Sequence, residues 1–376
     1  MQKIMRKLYI VAFITVLFVP FLFAHRQENR IAVNENRYYA NVPKLIKEDG
    51  AWNLNYKQEF ESWINDNARF RTLFREMKVI ALYHLFGYLD LENVGIGTNG
   101  DLYANADKDV DTVQGRNLLS DGALEALETG LYRLQEALKF RGIDFYYMQC
   151  YDKMTILSEY YPKGVMRYQT EHIGQQTEDY ILENNRVNIV PLYDMLKSVA
   201  RSENIYYRYV DWCHWNEAGM YLGYEKLMKK IGEKYPQTDY LKLEDYSIKY
   251  KEAYRDVYGF QYPLKEIVPV YEIKEKKAVE KETTLYNNFN VKEHTHYYVN
   301  PTKTKRVLCI NDSFIRMAMK SHLAECFHEV LTVDLNNLSN IEWILDAYAP
   351  DIVILECLET NVPNVYRTLD NLEYIK

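Results

Sequence analysis

Apolar and polar positions divide the 376-residue chain into stretches of different character. An unbroken apolar run, Leu8 to Ala24, follows Lys3, Arg6 and Lys7. It sits at the short limit of a membrane-spanning helix, and its basic flank predicts export of everything after it. Residues 25–57 are polar and read as a stalk or lead-in. A helix is predicted from about Tyr56 to Tyr88, with "FESWINDNARFR" inside it and the apolar "MKVIALYHLFGYL" towards its end. "VGIGTNGDLYAN" carries Gly95, Gly97 and Gly100 and predicts a hairpin. No Lys-Ser or Lys-Thr pair follows these glycines, which excludes a phosphate loop.

From Leu124 the periodicity becomes regular. Leu124, Leu127, Leu131, Leu134 and Leu138 recur at helical spacing. A strand, "IDFYYMQC", follows, then a polar helix-rich segment and "NIVPLYDML". "IYYRYV" reads as a strand running into "DWCHWNEAG", and Tyr221, Tyr224, Met228 and Ile231 then line one face of a helix. Residues 236–304 carry charge runs such as "EIKEKKAVEKE" without a clear core pattern, an irregular excursion with a solvated face. The last third alternates strands ("RVLCI", "EVLTVD", "DIVILEC") with helices, the second of them stopped by Pro350. This alternation predicts an α/β domain, a parallel sheet flanked by helices, over residues 58–376.

Composition narrows the class. Hydrophobic residues make up 48% and charged residues 26%, enough to build a core. With a net charge of −7, nothing in the sequence suggests the basic face that a nucleic-acid binder would normally show. Five dispersed cysteines, Cys150, Cys213, Cys309, Cys326 and Cys357, form no CxxC pair and argue against a disulfide framework. Leu22 is not the small residue that a signal peptidase prefers two places before Ala24. The N-terminus therefore reads as a retained single-pass anchor; cleavage after Ala24 would instead release the chain. His294 and His296 have metal-ligand chemistry but no third ligand in the pattern, so no metal is expected, and no cofactor motif is present.

The candidate chemistry lies where strands end. In a parallel sheet the reactive edge is at the carboxyl ends of the strands. Ser313 lies just past "VLCI", and Asp211 and His214 just past "IYYRYV". A serine hydroxyl is a poor nucleophile until an imidazole takes its proton, and a carboxylate fixes the imidazole tautomer. Asp-x-x-His suits one tight turn. The N–H of Ser313 at a helix start suits an oxyanion. Two other readings stand beside this one: Ser313 as a helix cap, and Cys213 as the nucleophile. Trp215 reads as an anchor packing the His214 turn.

These motifs resemble the SGNH-hydrolase-like proteins of the alginate O-acetyltransferase type and their DHHW-motif relatives, over most of residues 35–376. "ENRYYANVP" and "FESWINDNARFR" resemble the family's entry segment and first helix, and "VGIGTNGDLY" its glycine hairpin. "YDKMTILSEYYP" resembles its Pro-x-Lys segment, with Tyr151 where proline is usual. "HWNEAG" and "NDSFIRMAMKSHLAECFHEVLTVD" resemble its His-Trp and Asp-Ser-Phe blocks. "PDIVILECLET" resembles the strand that follows, with Glu359-Thr360 where Glu-Arg is usual. The usual Asp-x-His-Trp is here Asp211-Trp212-Cys213-His214-Trp215, so the aspartate lies one place further back.

The resemblance implies an extracytoplasmic, serine-dependent O-acetyltransferase or acetylesterase of the bacterial cell membrane, acting on an exopolysaccharide or cell-wall glycan. Ser313 would be its nucleophile, His214 its base and Asp211 the orienting carboxylate. A membrane-bound O-acyltransferase would be the partner that supplies acetyl groups. The alternative is a catalytically inactive glycan-binding or assembly protein on the same fold.

Overall fold

The computed structural model describes residues 2–24, 31–32, 37–48, 50–68, 71–86, 88, 93–257, 260–283, 285, 289 and 291–372. The chain divides into two compact units, residues 1–92 with 254–265 and residues 93–253 with 266–376.

The first unit begins with α1 (Gln2–Leu22). The uncharged stretch of α1 runs from Leu8 to Leu22, short of the about 20 residues that a span needs. Among the described residues no helix is long and apolar enough to cross a membrane. Short strands β1 (Ile31–Ala32) and β2 (Arg37–Tyr38) pair antiparallel. The single helix expected from Tyr56 to Tyr88 is instead two helices, α2 (Tyr56–Asn67) and α3 (Arg71–Phe86). The side chains at the end of α2 account for the break. Asp66 Oδ2 accepts from the Ala40 N–H at 2.9 Å, and Asn67 Nδ2 donates to the Ala40 carbonyl at 2.8 Å. The chain then leaves helical geometry at Ala68 (φ −55°, ψ 133°). The polar lead-in is thus tied to α2 through these two buried side chains.

In the second unit β3 (Val94–Ile96) and β4 (Leu102–Ala104) form the expected glycine hairpin. Next come α4 (Asp107–Gln114), α5 (Asp121–Phe140), β5 (Asp144–Cys150), α6 (Lys153–Ile156) and α7 (Ile173–Asn184). β6 (Ile189–Val190), α8 (Tyr193–Val199) and α9 (Glu217–Lys234) follow. The predicted irregular stretch is more ordered than its charge pattern suggested. β7 (Tyr246–Val257) and β8 (Phe260–Ile273) make a two-stranded ribbon whose residues 254–265 belong to the first unit, and β9 (Val279–Lys281) and β10 (His296–Val299) join the main sheet. The chain closes with β11 (Arg306–Asn311), a π-wound turn (Ile315–Met319) leading into α10 (Lys320–Cys326), β12 (Glu329–Asp334), α11 (Ile341–Tyr348), β13 (Ile352–Leu358) and α12 (Val362–Asn371).

The seven-stranded sheet has the order β6-β5-β13-β11-β12-β10-β9. β6, β5, β13, β11 and β12 run parallel, while β10 and β9 close one edge antiparallel. Strand alternation sends residues to two faces. Met148, Cys309 and Ile354 share one apolar cluster with Leu227 and Ile231 of α9 and Leu323 of α10. Tyr147, Leu308, Ile310 and Leu355 share the other with Leu127 to Leu138 of α5, Ile344 of α11 and Leu369 of α12. Helices therefore cover both faces. The α5 leucines picked out by spacing are all buried, each contributing roughly 1.5–3 kcal/mol through removal from water.

One expected strand does not form. "IYYRYV" makes only an isolated bridge, Tyr206 to Trp215, and residues 207–213 are a loop. The entry of α9 packs hard against the base of this loop. A Cβ on Gly219 would collide with the Ile205 carbonyl oxygen and lie 2.9 Å from Trp215 Cβ. Alanine is favoured over glycine inside a helix by about 1 kcal/mol, whereas overpacking typically costs about 1–3 kcal/mol. The backbone carbonyl cannot swing aside, so the clash wins. Gly219→Ala should lower unfolding free energy by about 1 kcal/mol, measured by urea denaturation, despite its better helix propensity.

Candidate active site

β11 ends at Asn311, and Ser313 opens the following helix. The first backbone N–H groups of a helix have no intrahelical acceptor, so the Ser313 N–H faces outward as a donor. Asp312 ties this corner to the end of β13. Its Oδ1 accepts from the Phe314 N–H at 3.2 Å, and its Oδ2 accepts from the Leu358 N–H and from Asn361 Nδ2. The Asp312 N–H donates to Glu356 Oε2 at 3.1 Å. Burial, helped by the Asp312 charge, pushes the Glu356 carboxyl well above its usual range. This shift favours the protonated form of Glu356 at the corner.

Asp211, Cys213 and His214 sit on the 207–213 loop and its exit. Asp211 Oδ1 accepts from the N–H groups of Cys213 (2.7 Å) and His214 (2.9 Å), so the aspartate builds its own turn. Its Oδ2 lies 3.0 Å from His214 Nδ1. On the other side of the ring, His214 Nε2 lies 2.6 Å from Ser313 Oγ. The structure thus brings all three sequence-predicted residues into one hydrogen-bonded chain. The extra residue between Asp211 and His214 is absorbed by the turn. Burial raises the Asp211 pKa, but the bonds to His214 and the loop N–H groups outweigh it and hold the carboxylate well below its usual range. For His214, burial lowers the pKa and Asp211 raises it; the carboxylate wins and the net shift is upward.

Neighbouring rings hold the imidazole in place. Phe314 lies 4.9 Å from His214 and 5.0 Å from Trp215, centroid to centroid. Trp215 is buried, as an anchor should be. Asn216 caps α9 through Oδ1, which accepts from Ala218 N–H (2.9 Å) and Gly219 N–H (3.2 Å), while its Nδ2 donates to the Asn204 carbonyl.

The sequence reading missed the residues that hold the loop. Lys153, fully buried, donates from Nζ to the Tyr207 carbonyl at 2.6 Å and reaches the Asp211 carbonyl at 3.4 Å; its backbone N–H donates to the Cys213 carbonyl at 3.0 Å. Burial pulls the ammonium pKa down to about 8. From the opposite side Glu266 of β8 accepts from the N–H groups of Arg208 (2.9 Å), Tyr209 (2.8 Å) and Val210 (2.7 Å). β4 adds N–H bonds from Leu102 to the Arg208 carbonyl and from Ala104 to the Trp212 carbonyl. The Lys of "YDK" was visible as a motif but its role was not. Glu266 had no signal, since nothing in "YPLKEIVPVY" relates it to a loop more than 50 residues upstream.

Cys213 touches the ring after all, with Sγ 3.1 Å from Nδ1 and 3.9 Å from Nε2. Burial and the nearby Asp152 and Asp211 charges push its thiol pKa well up, so it remains a protonated thiol rather than a nucleophile. All five cysteines are free. Asp211, Cys213 and His214 place possible ligand atoms within 4.8 Å of one another, but a metal there would have to displace the Asp211–His214 bond. His294 and His296 do not converge. His294 Nδ1 faces Asp334 Oδ2 at 2.7 Å, and His296 bridges Glu280 (2.6 Å) and Lys320 (2.9 Å). Glu359, which the resemblance would pair with an arginine, is buried and accepts from the Asp152 N–H at 3.2 Å. Burial raises its pKa to about 8. A neutral carboxyl has no need of an arginine, which fits Thr360 in that place.

No family model and no curated protein matches the chain. Solved structures do. Bacillus cereus PatB1, solved with a sulfonyl adduct, aligns with a TM-score of 0.54 at 17% identity, covering 74% of this chain and 99% of that one. The chain shares the PatB1 fold. A DHHW family protein from Eubacterium siraeum aligns with a TM-score of 0.47 at 16% identity, covering 74% and 98%. The O-acetyltransferase domain of Pseudomonas putida AlgJ aligns with a TM-score of 0.43 at 11% identity, covering 74% and 99%. These neighbours include the relatives that the sequence motifs resemble. The PatB1-like sheet is the frame that sets Ser313 at the end of β11.

The loop clamp has a measurable consequence. A buried donor left unpaired costs about 1–3 kcal/mol, and Glu266→Ala strips the acceptor from three. Its unfolding free energy should fall by about 3 kcal/mol, read from urea denaturation. Glu266→Gln keeps one acceptor oxygen and should lose less.

Proposed function

We propose that this protein is an extracytoplasmic O-acyltransferase or esterase that carries acetyl groups on Ser313. The observation that supports it is the chain of contacts from Asp211 Oδ2 through the His214 ring to Ser313 Oγ, with both links at hydrogen-bond length. His214 takes the Ser313 proton on Nε2 as Oγ attacks the acetyl carbonyl carbon. The new Oγ–C bond gives a tetrahedral oxyanion near the Ser313 N–H. The ester C–O bond then breaks, and the proton on Nε2 passes to the leaving alcohol. In the second half-reaction His214 takes a proton from a sugar hydroxyl or from water, whose oxygen attacks the acetyl-serine carbonyl carbon; the Oγ–C bond then breaks, the acetyl group leaves on the acceptor oxygen, and the proton on Nε2 returns to Ser313 Oγ. Asp211 steadies the imidazolium in both halves.

The proposed acceptor is a bacterial exopolysaccharide or cell-wall glycan. The proposed acetyl supplier is a membrane-bound O-acyltransferase, with the basic-flanked apolar N-terminus directing export of the chain, as a retained anchor or as a signal cleaved after Ala24. This part of the reading is by analogy with the family that the motifs resemble. The alternative, an inactive glycan-binding or assembly protein, draws on the shifted Asp211 and on Thr360 where the resemblance would place an arginine. The 3.0 Å contact of Asp211 with the ring favours the catalytic reading.

Ser313→Ala should reduce acetyl release from p-nitrophenyl acetate by about 10³-fold or more without lowering the unfolding temperature. Phenylmethylsulfonyl fluoride should label wild-type Ser313, located by peptide mass spectrometry, and leave the variant unlabelled. Release that survives the substitution would remove Ser313 as nucleophile.

The pH profile gives a separate check. His214 acts as a base only when neutral, and its pKa is raised above the ordinary 6.5. The acidic limb of kcat/KM should therefore lie above pH 6.5. Asp211→Asn removes the raising carboxylate and leaves the lowering effect of burial. Its limb should move to lower pH while the plateau falls by up to about 10⁴-fold.

A further inference from the structure

A cavity of about 330 Å³ opens beside Ser313, at the small end of the range for ligand pockets. Its walls come from the ends of β11 and β12, from the His294 turn and from α12. Ser313 forms part of the wall, so a hydroxyl seated in the cavity lies close to an acyl group on Oγ. Three features define what it would take.

The first is hydrogen-bonding chemistry. Asn361, Asn364 and Thr368 line the α12 side; Asn361 Nδ2 already donates to Asp312 Oδ2 and the Thr368 hydroxyl to the Asn364 carbonyl, so they offer a ligand their acceptor oxygens and the Asn364 amide. Asn364 is exposed, and its side-chain amide makes no hydrogen bond among the described residues. The second is charge. Arg316 is the cationic side chain in the wall, and its Nη1 lies 3.3 Å from Asp334 Oδ2 and 2.9 Å from His294 Nδ1. Its charge is already balanced, and Asp312 adds a further carboxylate to the same wall. Arg316 and His294 both face Asp334, so an anionic ligand would find no unpaired cation in this wall. The third is size, which suits one small unit rather than an extended chain.

We infer that this cavity is the acceptor subsite, and that it takes an uncharged, hydroxyl-rich glycosyl unit rather than a uronate. This inference rests on the acyl-serine reading above and adds the acceptor's class and position.

The test compares three esters on the full chain: p-nitrophenyl acetate, mono-O-acetyl methyl glucoside and mono-O-acetyl glucuronic acid. Wild type should release acetate from the glucoside at least tenfold faster, as kcat/KM, than from the glucuronate. Asn364→Trp, which fills the cavity from the helix surface, should lower the ratio of glucoside to p-nitrophenyl acetate turnover at least tenfold. Thr368→Val should lower the same ratio by a smaller factor, and it decides the matter if the tryptophan variant does not fold by circular dichroism. An unchanged ratio in the folded variants, or a wild-type preference for the glucuronate, overturns the subsite. If Ser313→Ala retains wild-type turnover on all three esters, the acyl-serine reading itself falls. An inert Ser313→Ala with an unchanged ratio overturns the subsite alone.

Discussion

The site depends on how residues 207–213 satisfy their backbone. Polar main-chain groups buried away from water must find partners. This segment forms no strand ladder beyond the Tyr206–Trp215 bridge. Its carbonyls are taken by Lys153 and by N–H groups of β4, and its N–H groups by Glu266 and Asp211. A cation and an anion, both nearly buried, grip opposite polarities of the same loop. Together they give Asp211 a fixed position, and through Asp211 they orient His214. The β7–β8 ribbon, whose charge pattern marks it as solvated surface, supplies one of the two grips.

The second element is the sheet. β11 and β13 lie side by side and parallel, so their ends meet at one edge. The Asp312 N–H donates to Glu356 across these ends, and burial with the nearby Asp312 charge pushes the Glu356 carboxyl well above its usual range. Ser313 follows immediately, at the start of a helix whose next turn is π-wound. A π turn inserts one extra residue per turn and is costly without a reason; such turns are frequent at functional sites. Here it follows Phe314, the ring that packs on both His214 and Trp215. The helix that could have used Ser313 simply as a cap thus also sets its hydroxyl against the imidazole.

The electrostatics follow from burial with selective pairing. Glu356, Glu359 and Asp152 lie deep without a cation bonded to them, and burial drives their carboxyls towards the neutral form; Asp152 reaches about 7. Asp211 is half-buried and accepts from the loop N–H groups and the imidazole, which hold its carboxylate well below the usual range. The hydrogen-bonded Asp211 is the largest influence raising the imidazole pKa, with Asp152 and Asp312 adding to it.

Much of this was legible in the sequence, for physical reasons that act locally. The spacing of Leu124 to Leu138 determines α5, because one helix face must be apolar to pack. The runs "RVLCI", "EVLTVD" and "DIVILEC" determine three central parallel strands, because strands buried on both faces are apolar throughout. Ser313, His214 and Asp211 were legible as chemistry because few residue types can activate a hydroxyl. What tertiary structure decided was everything that depends on partners far apart in the chain. "IYYRYV" has strand composition, yet it is a loop, because Lys153 and Glu266 compete successfully for its backbone. The 56–88 helix breaks because Asp66 and Asn67 bond Ala40. The spacing of Asp211 looked irregular as a motif and is unremarkable as a turn, since its own side chain accepts the N–H groups of Cys213 and His214. A sequence states which groups are available; which of them meet is decided when each buried polar group finds its partner.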